Sequence, residues 1–130
     1  MIVVDASVLA PALADDGSDG DASRASLRGG TLVAPELIDL EVASVWRRQV
    51  TSGQLDLRRA DLAVADLLDL PLQRIAHRQL LARCWELRHD LTPYDAAYMA
   101  LAELLDAVLV TSDRRLSRAP SLRCRVEVVG

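Results

Sequence analysis

The chain has 130 residues, 51% of them apolar, and a formal net charge of −4. That length suits one domain with a core large enough to need no disulfide or metal staple. The acidic balance excludes a simple basic coat for nucleic acid, and no apolar run approaches the ~20 residues that span a bilayer. All fifteen basic residues are arginine, and lysine, phenylalanine and asparagine are absent. A GC-rich genome explains that bias, because the codons of the three missing residues are A/T-rich. The absence of lysine still has chemical force. It removes the P-loop enzymes, the response-regulator receivers and the aspartyl-phosphate phosphotransferases, which would also want an aspartate where Ser7 stands. Cys84 and Cys124 lie in no metal-ligand spacing, and no secretory signal opens the chain. The expectation is a cytoplasmic protein with reduced thiols.

Ile2-Val3-Val4 is a contiguous β-branched run and predicts a central parallel strand, covered on both faces. Asp5 ends it, and a short helix follows over 8–13. Residues 15–20 read as a polar, glycine-broken loop, 21–27 as a second short helix and 31–34 as a second strand. Pro35 is placed to open the next helix, 36–51, which Gly53 terminates. A further helix over 57–68 would make an αα-hairpin with it. Residues 70–75 read as an edge strand because of Pro71. A helix over 76–88 would turn Leu80, Leu81, Cys84, Trp85 and Leu87 to the core. Thr92-Pro93 opens a helix that runs to residue 105, residues 107–111 form a second buried strand, and 125–129 an edge strand. Strands alternating with helices in one domain, 1–130, predict a three-layer α/β/α sandwich with a mainly parallel sheet.

Four acids stand out. Asp5 and Asp113 each follow a buried strand, where ligands bind in open α/β sheets. Each also reads as a helix N-cap. Asp95 stands third in its helix after Thr92 and Pro93, which suits a capping box or a place at the same sheet edge. Glu41 is mid-helix among Leu37, Ile38 and Val45, and a glutamate on an apolar stripe needs a partner: Arg48 or a metal. Taken together, four carboxylates in one crevice are stable only if protonated or bridged by cations. Hard oxygen ligands select Mg²⁺ or Mn²⁺, which can activate a water for phosphodiester displacement. Trp46 and Trp85 read as core or dimer contacts, His77 and His89 as surface residues, and Arg47, Arg48, Arg58 and Arg59 as exposed helix faces.

Four segments carry a resemblance over essentially the whole chain. They are Val4-Asp5-Ala6-Ser7-Val8-Leu9, Pro35-Glu36-Leu37 with Glu41-Val42, Leu91-Thr92-Pro93-Tyr94-Asp95-Ala96-Ala97-Tyr98, and Leu109-Val110-Thr111-Ser112-Asp113-Arg114. In this order and spacing the sequence resembles the PIN-domain ribonucleases, more narrowly the VapC toxins of VapBC toxin–antitoxin pairs. The resemblance implies an acidic pocket of Asp5, Glu41, Asp95 and Asp113 as joint catalytic and metal-holding residues, with Ser7 and Thr111 orienting them. It also implies Mg²⁺- or Mn²⁺-dependent endoribonuclease activity on RNA such as tRNA or rRNA, leaving 5′-phosphate and 3′-hydroxyl ends. The implied partners are a small antitoxin whose tail blocks the pocket, commonly with an arginine, and a second copy in a homodimer. One departure is that Arg114 and Arg115 follow Asp113 where many relatives carry another acid. That weakens the expectation of a filled second metal position and makes Arg114, Arg115 and Arg118 candidates for gripping substrate phosphates. The rival reading is a PIN-like module that binds RNA or protein without cutting; divalent-cation binding separates the two.

Overall fold

The opening apolar run becomes β1 (Ile2–Val4), the middle strand of a five-stranded, all-parallel sheet in the computed structural model, which describes residues 1–130. The others are β2 (Leu32–Pro35), β3 (Leu72–Ile75), β4 (Val108–Thr111) and β5 (Val126–Val128), in spatial order β3-β2-β1-β4-β5. Val3 lies opposite Val33 of β2 and Leu109 of β4, and Val4 opposite Val110. All five of these side chains are at most 1% exposed, as expected of strands covered on both faces. The chain lays β2 and β3 on one side of β1, then crosses to lay β4 and β5 on the other. Strand order therefore reverses between β1 and β4, and connections leaving their carboxyl ends part to open a crevice.

Seven helices complete the three-layer sandwich: α1 (Ala6–Ala14), α2 (Ser18–Leu27), α3 (Ile38–Thr51), α4 (Leu57–Asp69), α5 (Leu81–Glu86), α6 (Pro93–Leu105) and α7 (Arg114–Ser117). Helix α6 packs on β1, β2 and β4 through an unbroken buried run from Ala96 to Ala102, four of whose seven side chains are alanine. Small side chains let its backbone lie close to the sheet. Arg83 ties α5 to α6 by pairing with Glu103 at 2.8 Å. On α1 gather α2, α3 and α4. A Cβ at Gly20 would lie 1.8 Å from the Asp15 carbonyl oxygen, so α2 can start this tightly behind α1 only on a glycine. Trp46 of α3 is buried and donates its indole N–H to the Ala10 carbonyl of α1 at 3.2 Å. Helices α3 and α4 form the expected hairpin, turning through Gly53 at φ +81°. Cys84 and Cys124 are free thiols, and burial pushes Cys124 up to about 11. No helix is long and apolar enough to cross a membrane.

Four local expectations are corrected. Pro35 closes β2 and does not open α3; its missing N–H is tolerated at a strand end, and Glu36 N–H bonds the Ile75 carbonyl at 2.9 Å. The polar stretch 15–20 is a loop only in part, because α2 begins at Ser18. The helix expected over 76–88 is a 3₁₀ turn, His77–Leu80, followed by the six-residue α5. Its apolar face is wider than one buried side: Leu80, Cys84 and Leu87 point inward, while Leu81 and Trp85 are left outside. Trp85 is 66% exposed and lies under the Arg88 guanidinium, 4.8 Å from the ring centroid.

Candidate active site

Asp5, Glu41, Asp95 and Asp113 line one crevice, with Ser7, Ser44 and Arg48 on its walls. Asp5 comes from the end of β1, Glu41 from the first turn of α3, Asp95 from the first turn of α6, and Asp113 from the step between β4 and α7. All four acids expected at the site are therefore brought together, at the point where strand order reverses.

Asp5 has the backbone of a helix N-cap, yet its side chain makes no cap bond. The carboxylate turns instead toward two hydroxyls. Ser7 Oγ donates to Asp5 Oδ2 at 2.8 Å, and Thr111 Oγ1 donates to the same oxygen at 2.6 Å. Each hydroxyl has one proton, and both are committed to Asp5. Their lone pairs in turn accept backbone N–H groups: Ser112 N on Ser7 at 3.0 Å and Asp113 N on Thr111 at 3.0 Å. This network locks Oδ2 of a carboxylate that is only 8% exposed, and makes no hydrogen bond to Oδ1. Ser7 and Thr111, which the family resemblance makes orienting residues, both lie on the Asp5 carboxylate.

Glu41 does not pair with Arg48, which donates to Ser44 Oγ at 2.9 Å. Its partner is Tyr98, whose phenol donates to Glu41 Oε1 at 2.5 Å. Sequence reasoning passed over Tyr98 as a site residue. The available signal was a tyrosine inside an apolar helical run, three residues after Asp95 and so on the same face, with a hydroxyl that needs a partner when buried. Burial and the neighbouring Glu41 raise the Tyr98 phenol well above its ordinary value, so it remains a donor.

Asp95 receives half of the expected capping box: Thr92 Oγ1 accepts its backbone N–H at 3.2 Å, while its carboxyl group lines the crevice. Asp113 caps α7 by accepting Arg115 N–H at 3.0 Å, and it lines the crevice. Of the three arginines proposed for phosphate, Arg115 lies on Asp113, Arg114 donates to the Gly130 carbonyl at 2.8 Å, and Arg118 is exposed at the end of α7. Arg59, expected to be a free surface residue, donates to the Leu13 carbonyl at 2.8 Å and pairs with Asp16. His77 and His89 are exposed and do not line the crevice.

The acids differ in charge balance. Burial raises Glu41, and the charges of Asp5 and Asp95 add to this against the Tyr98 hydrogen bond. Burial also raises Asp95, with Asp5 and Asp113 adding to it and Arg115 opposing. The Arg115 guanidinium holds Asp113 below its usual range. Glu41 and Asp95 thus carry negative charge that the protein leaves undercompensated. An oxygen-only donor set of four carboxylates, two of them raised by burial and by their acidic neighbours, fits a hard divalent cation. As placed, no three of the acids converge on one point.

A raised carboxyl destabilises the fold once ionised. Its contribution to stability is fully present below the unfolded value of about 4 and is lost as pH rises through the higher folded value. Asp95→Asn removes that loss. We expect it to raise the Tm of the metal-free protein at pH 7, and to flatten the rise in Tm as pH falls through the raised Asp95 range toward the unfolded value of about 4. A melting series against pH checks this, and a Tm at or below wild type at pH 7 contradicts it.

The crevice and the parallel sheet define the class. Residues 2–122 match the PIN domain, and the chain belongs to that family. It is 40% identical over 128 residues to Ribonuclease VapC1 of Mycobacterium tuberculosis, covering 98% of this chain and 96% of that protein. To Ribonuclease VapC9 of the same species it is 39% identical over 129 residues, covering 99% and 98%. Among solved structures, VapC20 of M. tuberculosis, described as a Sarcin-Ricin loop cleaving toxin, shares the fold at a TM-score of 0.73 and 19% identity over 100% of both chains. VapBC2 from Rickettsia felis, bound to a DNA fragment from their promoter, does so at 0.65 and 15%, again over 100% of both.

Proposed function

We propose that this chain is a divalent-metal-dependent endoribonuclease and the toxin of a type II toxin–antitoxin pair. The observation that carries the reading is the gathering of four carboxylates from four separate elements into one crevice where strand order reverses. No packing need explains placing Asp5, Glu41, Asp95 and Asp113 together, and their mutual repulsion opposes it. The family and the full-length similarity to VapC ribonucleases support the same activity.

Asp5, Glu41, Asp95 and Asp113 would hold Mg²⁺ or Mn²⁺. When bound, such an ion supplies a lowered pKa for a coordinated water and shields the charge of the phosphodiester. The protein's own share is orientation. Ser7 and Thr111 fix the Asp5 carboxylate, and Tyr98 fixes that of Glu41. Arg48 on the crevice wall, with Arg115 and Arg118 on α7, offers cationic groups to the RNA backbone. Arg114 is the weakest of these candidates, being occupied by Gly130. The products are expected to carry 5′-phosphate and 3′-hydroxyl ends. The expected partners are structured RNA such as tRNA or rRNA, a small antitoxin that covers the crevice, and a second copy of the chain. The expected setting is the cytoplasm.

The non-cleaving module keeps one point in its favour, the acids' failure to converge as they stand. Cleavage of a total-RNA pool, with and without Mn²⁺ and beside Asp95→Asn, decides between them. Metal-dependent cuts that vanish in the variant support the nuclease. Equal cutting by the variant marks a contaminant and overturns the assignment to this crevice. A folded protein that neither cuts nor binds Mn²⁺ by calorimetry is the binding module.

A further inference from the structure

The one cation that pairs with any of the four acids is Arg115. Its place follows from local geometry. Asp113 caps the short α7, and the cap puts the Arg115 backbone N–H on Asp113 Oδ1. The side chain of the same residue then folds back over the carboxylate it has just capped. Arg115 Nε lies 3.1 and 3.2 Å from the two Asp113 oxygens, and Nη2 lies 2.5 Å from Oδ2. The same Nη2 reaches to within 3.7 Å of Asp95 Oδ2. One guanidinium therefore spans two carboxylates delivered by different helices.

We propose that Arg115 is a built-in counter-cation of the crevice, which bridges Asp113 and Asp95 in the ion-free protein and is displaced from them when a divalent ion binds. This rests on the nuclease reading above. A guanidinium is planar, diffuse and singly charged, and its hydrogen bonds occupy the oxygens a hard cation would use. It answers the charge on Asp113 and part of that on Asp95, and makes no ion pair with Glu41 or Asp5. A divalent ion placed among the acids satisfies more of them at once. Displacement is easy because the Arg115 side chain is 77% exposed. Once released, it stays tethered two residues from Asp113 with a free fork of donors. Arg115 thus does two jobs in succession: it balances the acids, then is freed for the RNA backbone.

The inference predicts that removing the competitor improves metal binding. Calorimetric titration of Mn²⁺ into wild type, Arg115→Gln and Arg115→Lys, all checked for folding by circular dichroism, reads this directly. Arg115→Gln should bind about three- to fivefold more tightly than wild type, the scale of losing one or two competing exposed ion pairs. Arg115→Lys, which keeps the charge without the fork, should fall between the two. A second readout needs no variant to be active. In a ¹⁵N–¹H spectrum the Arg115 Nε–H signal, assigned by its loss in Arg115→Gln, should move toward the position of free arginine on saturation with Mg²⁺. Equal or weaker Mn²⁺ binding by Arg115→Gln, or an Nε–H signal that Mg²⁺ leaves in place, overturns the inference while the nuclease reading stands. Absence of metal binding in wild type and variant alike overturns both.

Discussion

Asp5→Asn is expected to lower RNA cleavage by about 10³-fold while leaving the fold intact, the scale of losing preorganised charge at a reacting centre. The expectation follows from how Asp5 is held. Both hydrogen bonds it receives fall on one oxygen, from Ser7 and Thr111. An asparagine carbonyl oxygen in the same place accepts both, so the link between β1 and the end of β4 survives. What changes is the other atom: the carboxylate oxygen that those bonds leave free becomes an NH₂ group, which cannot ligate a hard cation. Cleavage rates measured beside thermal melts separate the two effects. Cleavage within tenfold of wild type, at unchanged Tm, would remove Asp5 from the centre of the mechanism.

Leu109→Ala is expected to be the opposite kind of variant, costing stability first. Leu109 is fully buried in β4, opposite Val3, and its N–H is bonded to the Arg125 carbonyl of the strand approach on the other side. Truncating such a side chain loses its transfer free energy and leaves a cavity, together about 3 kcal/mol. For a chain of this size the Tm should fall by roughly 10 °C. Two residues on, Thr111 is the donor that holds Asp5, so activity should persist at low temperature and vanish at the lowered transition. Denaturant unfolding checks the loss; a change below 1 kcal/mol would mean that the α6 alanines close over the gap.

The parts of this architecture that were legible in the sequence are those in which one residue type has few physical alternatives. A run such as Ile2-Val3-Val4 can hardly be anything but a buried strand, and a glutamate on the apolar stripe of α3 demands a partner. The identity of that partner was harder to read. Arg48 is on the same helix as Glu41 and is near in sequence, whereas Tyr98 is 57 residues away and becomes a neighbour only when α6 packs on the sheet. Pro35 could open a helix or close a strand, and pairing with β3 decided it. Trp85 could go in or out, and Leu80, Cys84 and Leu87 had already filled the inside. Asp5 takes the backbone of the expected cap without the cap bond, since a hydroxyl two residues on and another 106 residues away hold its side chain in place of the local N–H groups. The position of Arg115 depends on a folded-back side chain at a helix start, and no spacing rule encodes it.

The bond from Thr111 to Asp5 joins residues 106 apart in sequence. In a growing polypeptide Asp5 emerges 106 residues before Thr111. Two strands, β2 and β3, and six helices lie between β1 and its neighbour β4, and pairings this distant are the slow ones to close. The acids on β1, α3 and α6 all emerge before the strand that fixes Asp5 in place. The Asp5 carboxylate is thereby left unfixed until β4 has paired with β1, which makes the floor of the crevice one of the last parts of the fold to close.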